Sequence, residues 1–191
     1  VTLGNGRKGK RFVHYAAEQK SQCLIYTSAF HDVLQQGQGA GFAFEFRGTY
    51  EYTDAIREHL EERGPKGVLH NQSNERAHLR AILAALTWKS WEDEGWKGIV
   101  IATNCPRLPN DSSFNYWIYS DWQARVTNGD LWEAISDEIT SLKGRGVAVF
   151  FWKVSDEECQ FVQEAAKLGA KMRTPPYYRT LTANLPTELN V

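Results

Sequence analysis

Gln72-Ser73-Asn74-Glu75-Arg76-Ala77-His78-Leu79-Arg80-Ala81, continuing through Leu86, is the stretch from which the fold of this chain is read. Leu79, Ile82, Leu83 and Leu86 recur at i, i+3, i+4 and i+7, the spacing of one helix face. Ser73 or Asn74 stands where such a helix needs an N-cap. Three β-prone segments precede it. Cys23 to Thr27 is a compact run, and Phe42, Phe44 and Phe46 alternate with Ala43 and Glu45 after a Gly-rich turn. The third lies within Tyr50 to Glu61, ended by Gly64-Pro65.

On the far side of the helix, Gly98 to Thr103 is apolar without alternation, as buried parallel strands are. A short helix is expected over Trp117 to Trp122, and another from Thr127, with Asp130 three residues on, through Leu131, Trp132, Ile135 and Ile139. Val147 to Trp152 reads as a fifth strand. Ser155 and Glu158 form a capping-box signature for a last helix whose Phe161, Ala165, Leu168 and Met172 trace one face, stopped by Pro175-Pro176. The order β-β-β-α-β-α-α-β-α implies an α/β domain: a mixed five-stranded sheet, three antiparallel strands followed by α/β crossovers, with helices on its faces. The domain is placed at 21–173, after a basic polar segment at 1–20 and before a tail at 174–191. In the first segment Arg7, Lys8, Lys10 and Arg11 interleave with glycines, which suits either a nuclear-localisation or nucleic-acid-contacting arm or, more simply, a solvated tail.

At 191 residues, with 42% apolar and 13% aromatic content, the chain can bury one good core. A net charge of −1 is not that of a dedicated nucleic-acid binder, which clusters Lys and Arg. Three cysteines, Cys23, Cys105 and Cys159, lack paired spacing, which points to a reduced, intracellular setting, nuclear or cytoplasmic. No apolar run reaches the ~20 residues of a membrane span.

Several strings, in order, resemble the cellular (type I) ribonuclease H family. Gln72 to Ala81 looks like its Q-T-N-N-R-A-E-L-x-A motif, and Ile25-Tyr26-Thr27-Ser28 is similar to the first strand, which normally ends Thr-Asp-Gly. Ile101-Ala102-Thr103-Asn104-Cys105 resembles A-T-D-S, Asn128 to Glu133 the N-x-D-L-W segment, and Ala165-Ala166-Lys167 the close of the last helix. The Asp-Leu-Trp and Ala-Thr strings are nearest to fungal-type members. The resemblance runs from about Cys23 to Ala170 and implies the ribonuclease H-like fold.

It also implies four carboxylates holding two Mg²⁺ ions that cut the RNA strand of a hybrid. Carried over position by position, these fall on Ser28, His78, Asn104 and, within a slip of one residue, Gln163. Mg²⁺ prefers anionic oxygen, and this set offers neutral oxygens and an imidazole. The expectation is a degenerate member, a pseudoenzyme without its Mg²⁺ site or any other cofactor. Further departures point the same way: Glu75 puts a negative charge beside the groove, the Trp122–Asn128 segment is too short for a basic handle, and Asp156, Glu157 and Glu158 make its edge acidic.

Other readings of these residues are less economical. Rescue of the metal site by Asp32, Glu75 or Glu164 requires unrelated surface charges to converge. A zinc site from His78 and Cys105 with His31 or Cys159 lacks ligand spacing. Trp88, Trp91 and Trp96 suit core packing or a partner surface better than stacking on bases. Ser73, Asn74 and Arg76 are the candidates for contact with phosphate or ribose, although Ser73 and Asn74 serve equally as helix caps. The function implied is an interaction module for a protein partner. The alternative is a non-cleaving binder of RNA–DNA hybrid or double-stranded RNA, and a minor one is an active hybrid endoribonuclease with a rebuilt metal site.

Overall fold

A computed structural model describes residues 2–6, 9–15, 21–32, 39–48, 53–106, 108 and 127–183. The expected Trp117–Trp122 helix lies outside them. The strands are β1 (Thr2–Gly6), β2 (Gly9–Tyr15), β3 (Ser21–His31), β4 (Ala40–Glu45), β5 (Ile56–His59), β6 (Gly98–Thr103) and β7 (Ala148–Lys153). The helices are α1 (Asn74–Thr87), α2 (Gly129–Gly144) and α3 (Gln160–Gly169), with a short 3₁₀ turn at Trp91–Glu94.

β3 is central. It runs antiparallel to β4 and parallel to β6; β4 continues antiparallel to β5, and β6 continues parallel to β7. The five expected strands therefore lie in the order β5-β4-β3-β6-β7. Two further strands extend this five-stranded sheet to seven: residues 2–15, expected to be a polar lead-in, form the antiparallel pair β1–β2. β2 then pairs with the start of β3, Val13 opposite Cys23. Phe12, Val13 and Tyr15 are good strand formers, and their preference outweighs the flanking glycines and charges.

Alternation along β3 sorts the core into two layers. Cys23 and Ile25 face α1 and α2, joining Phe42, Phe44, Ile99, Ile101, Leu79, Ile82, Leu131 and Ile135. Leu24 and Tyr26 face α3, joining Ala43, Val100, Ala102, Val162, Ala165 and Ala166. Glycine sets how closely α3 approaches. A Cβ at Gly41 of β4 would collide with the backbone of Ala166 and Gly169, so the helix lies almost directly on the strand.

The helix ends depart from expectation in detail. Ser73 caps α1 by accepting a hydrogen bond from the Arg76 amide at 3.2 Å. α2 is entered through Asn128, not Thr127. Asn128 takes the left-handed conformation (φ 65°), which Asn tolerates, and its carbonyl accepts from Leu131 and Trp132. The Ser155–Glu158 capping box forms, with reciprocal bonds of 2.9 and 3.3 Å, but residues 156–159 are turns and the helix starts at Gln160. Its buried face is Val162, Ala165, Ala166 and Gly169, and Met172 lies exposed beyond its end. The stretch from 174, expected to be a tail, is packed as far as Ala183. Leu181 is buried, Tyr178 packs against the core, and the Ala183 amide donates to Trp88 at 2.7 Å. Among the described residues no helix is long and apolar enough to cross a membrane.

Candidate functional site

The parallel strands β3, β6 and β7 bring Thr27, Thr103 and Lys153 into one row, and the chain leaves β6 at Asn104 and β7 at Val154. Open α/β sheets gather their chemistry at such strand ends. Three of the four positions carried over from the sequence meet here. Ser28 Oγ donates to Asn104 Oδ1 at 3.0 Å, and Asn104 Nδ2 donates to Asp156 Oδ1 at 2.8 Å. Ser28 and Asn104 are buried, whereas Asp156 sits exposed in the turn before α3. His78 enters from the second turn of α1, 3% exposed, and its Nδ1 has no hydrogen-bond partner. Its pKa is lowered to about 4, chiefly by burial and in part by the Lys153 ammonium, with the Asp156 carboxylate pulling the other way. The imidazole is therefore neutral at pH 7. Lys153 Nζ in turn donates to the carbonyl of Cys105.

No hydrogen bond ties Gln163 to them. It is half-buried on α3. Asp156 supplies the acidic group instead. The sequence marked Asp156 only as part of an acidic edge, and it gave no sign of Lys153. The one available clue was position, since both stand at the end of an apolar strand.

This donor set does not suit a pair of hard divalent cations. It offers one carboxylate, a hydroxyl and an amide already bonded to each other, a neutral imidazole, and an ammonium in the same cluster. Two of the substitute acids do not gather there either. Asp32 stands four residues beyond Ser28 along an extended strand, roughly 13 Å away, and Glu164 pairs with Lys167 at 2.6 Å. All three cysteines are buried thiols, and burial pushes that of Cys159 up to about 12. Among the described residues no three of His, Cys, Asp or Glu are grouped to hold a metal ion.

The helix-start candidates are engaged elsewhere. Ser73 is the cap, and only Asn74 is exposed. Arg76 is 2% exposed and forms two parallel bonds to Asp130, 2.9 and 2.7 Å, with Asn128 Oδ1 at 3.3 Å. Burial raises the Asp130 pKa, but the Arg76 bond and charge outweigh it and hold the carboxyl below its ordinary value. An arginine so fixed joins α1 to α2 and is withdrawn from any phosphate. Gly64 is pressed against this pair, and a Cβ there would collide with Asp130 and Arg76. Gly64→Ala is expected to cost about 1–3 kcal/mol by overpacking, measured as a lowered urea midpoint; an unchanged midpoint would mean the pair can yield.

Of the tryptophans, Trp91 is fully buried and donates to the carbonyls of Ala85 and Leu86, Trp96 donates to Glu94, and Trp88 packs edge-on to Phe44. They build the core and not a platform for bases. A polar cleft beside them, lined in part by Trp88, Glu92, Glu138 and Arg145, has its charges closed on one another, with Arg145 bonded to both glutamates.

Comparison with solved structures turns on this strand order. The protease-reverse transcriptase of Prototype Foamy Virus, in its CSH mutant, superposes with a TM-score of 0.51 at 12% identity. The match covers 80% of this chain and 21% of that one, so it spans about a fifth of the viral protein. The fold is ribonuclease H-like. The ribonuclease H1 of Halobacterium salinarum NRC-1 is also similar, with a TM-score of 0.45, 13% identity, and coverage of 78% of this chain and 96% of that one. A foamy viral protease-reverse transcriptase in complex with RNA/DNA hybrid gives 0.45 and 13%, covering 77% and 20%. No family model and no curated protein matches the ribonuclease H-like chain by sequence.

Proposed function

We propose that this chain is a non-catalytic ribonuclease H-like domain, a pseudoenzyme that serves as an interaction module for a protein partner. The observation that carries the reading is the self-closed polar centre: Ser28, Asn104 and Asp156 are bonded in a chain beside a neutral, buried His78. Two-metal cleavage needs converging anionic ligands to hold the ions and activate water, and this centre has one. An intracellular setting, nuclear or cytoplasmic, is supported by the buried free thiols.

A non-cleaving binder of RNA–DNA hybrid or double-stranded RNA is the competing reading. It is favoured by Asn74, exposed at the N-terminus of α1, and weakened by the burial of Arg76. The experiment is titration of a labelled RNA–DNA hybrid with the protein in Mg²⁺ or Mn²⁺, following binding and cleavage together. Neither is expected at low salt. Cleavage by protein free of contaminating nuclease would overturn the pseudoenzyme reading in favour of a rebuilt metal site. Salt-sensitive binding without cleavage would identify a hybrid reader, because a steep salt dependence requires several phosphate contacts.

A further inference from the structure

Several charged side chains among the described residues are closed on a partner: Arg76 on Asp130, Arg80 on Glu61, Lys89 on Glu94, Arg145 on Glu92 and Glu138, Arg179 on Glu58. One region breaks the pattern in two respects. Residues 62–70 turn back on themselves, with Arg63 bridged to Leu69, the Gly64 amide donating to Val68, and His70 to Glu62. Gly67 takes the left-handed conformation at the bend (φ 76°), and Arg63 Nη1 donates to its carbonyl at 3.0 Å. This rigid turn holds Val68 and Leu69 out to solvent, 56% and 63% exposed.

The chain after α3 comes back beside it. The Glu62 amide donates to the Pro175 carbonyl at 3.0 Å, and the Arg63 guanidinium lies over the Tyr177 ring, 5.9 Å from its centroid, with Tyr177 67% exposed. Among the described residues, three of the five large hydrophobics most open to solvent thus share one patch. Arg63 edges it, and Lys171 and Arg173 stand exposed four and two residues before Pro175 on the returning segment. None of the three carries an ion pair among the described residues, and Met172 lies exposed between the last two. Glu62 is an exposed acid at the same edge, and Lys66 is paired with Glu133.

We propose that this patch, Val68, Leu69 and Tyr177 rimmed by Arg63, Lys171 and Arg173, is the docking surface for an acidic amphipathic segment of the partner. The inference rests on the interaction-module reading and names the surface and the chemistry it fits. Charge complementarity selects the occupant. Three cations without an ion pair among the described residues attract carboxylates, steering association, while two aliphatic side chains on a pre-formed turn and a tyrosine beside it offer anchors at little ordering cost. A second copy of this chain would bring its own basic rim against this one, and like charges in register oppose that contact. A nucleic acid would use the cations but leave Val68 and Leu69 without matching surface, since bases stack on aromatic and guanidinium planes.

The test uses the whole chain and a short fluorescent peptide that alternates Glu with Leu and Phe, read by anisotropy. Saturable binding is expected, and it should weaken about tenfold or more in Leu69→Ser/Tyr177→Ser. Lys171→Glu/Arg173→Glu should weaken it comparably with a reduced salt dependence. Every substituted side chain is exposed, so circular dichroism and the urea midpoint should be unchanged. A peptide with Lys in place of Glu should not bind. Absence of saturable binding, or binding indifferent to both variants, overturns the proposal, as does concentration-dependent dimerisation through the patch or patch-dependent binding of double-stranded RNA. The hybrid titration stands apart from these outcomes: a protein that neither binds nor cleaves hybrid and also ignores the acidic peptide keeps its interaction-module reading and loses only this surface.

Discussion

Arg80→Ala is expected to destabilise the protein by about 3–5 kcal/mol, the usual consequence of removing one member of a buried ion pair. Arg80 is 1% exposed in the middle of α1. Its Nε lies 3.0 Å from both oxygens of Glu61 and its Nη2 2.7 Å from Oε1. The guanidinium also sits between two rings, 4.8 Å from the centroid of Phe42 and 4.7 Å from that of Tyr178, and Nη2 donates to the Arg179 carbonyl at 2.8 Å. Alanine leaves the Glu61 carboxylate, 5% exposed, without its counter-charge. At roughly 2–4 °C per kcal/mol for a domain of this size, the melting temperature should fall by on the order of 10 °C.

The same substitution reports on the residues beyond α3. Tyr178 and Arg179 are held to the body of the protein through Arg80, so proteolysis between 173 and 183 should accelerate in the variant even well below its melting temperature. A double variant, Arg80→Met/Glu61→Leu, should recover much of the lost stability, because it removes the unpaired charge along with the pair. It should not restore protection of the 173–183 segment. A loss under about 1 kcal/mol for Arg80→Ala would place the pair among solvent-screened surface bridges and remove its claim to anchor that segment.

How much of this was legible in the sequence follows from range. The strands that alternate or are wholly apolar, Phe42 to Phe46 and Gly98 to Thr103, and the amphipathic face of α1 carry their periodicity within a few residues. They were readable for that reason, and with them the mixed sheet of antiparallel strands followed by α/β crossovers. Asp156 was not. Its place beside Asn104 depends on β6 and β7 lying parallel in one register, which joins residues 52 positions apart. Arg76 and Arg80 illustrate the same limit. Both stand in a string that resembles a substrate-binding motif, yet their partners, Asp130 and Glu61, are 54 and 19 residues away, and only the packed structure shows the guanidinium groups turned inward. The segment after Pro175 reads as a tail because proline ends the helix. What recruits it is Arg80, almost 100 residues earlier, at |i−j| = 99 from Arg179.

His78 should make the protein acid-labile in a window that no carboxylate explains. Its folded pKa of about 4, lowered chiefly by burial, compares with an ordinary 6.5 in the unfolded chain. Between these values the unfolded state binds a proton that the folded state refuses. The stabilisation is complete above pH 6.5 and is lost as pH falls toward 4, at about 1.4 kcal/mol per unit and on the order of 3 kcal/mol in all. Three other groups bear on the profile. His70, its pKa lowered chiefly by burial and also by Arg76, acts in the same sense as His78. Glu45, fully buried, has its pKa raised by burial in spite of Arg47, so its contribution runs oppositely and fades as pH rises through its folded value. Asp130, held low by Arg76 against the effect of burial, loses its contribution only at more acid pH, below its ordinary 3.8. Comparison of variants therefore isolates His78 better than the raw profile does. His78→Gln removes the titrating ring, and its urea-unfolding free energy should flatten between pH 6.5 and 4 relative to the unsubstituted protein. Asp156→Asn keeps an acceptor for Asn104 while deleting the charge that favours imidazolium, so it should drive the His78 pKa lower and carry the loss to more acid pH. Parallel profiles for the protein and His78→Gln would mean the imidazole is hydrated and titrates normally. The polar centre would then be open to water, and the self-closed arrangement that supports the pseudoenzyme reading would fall with it.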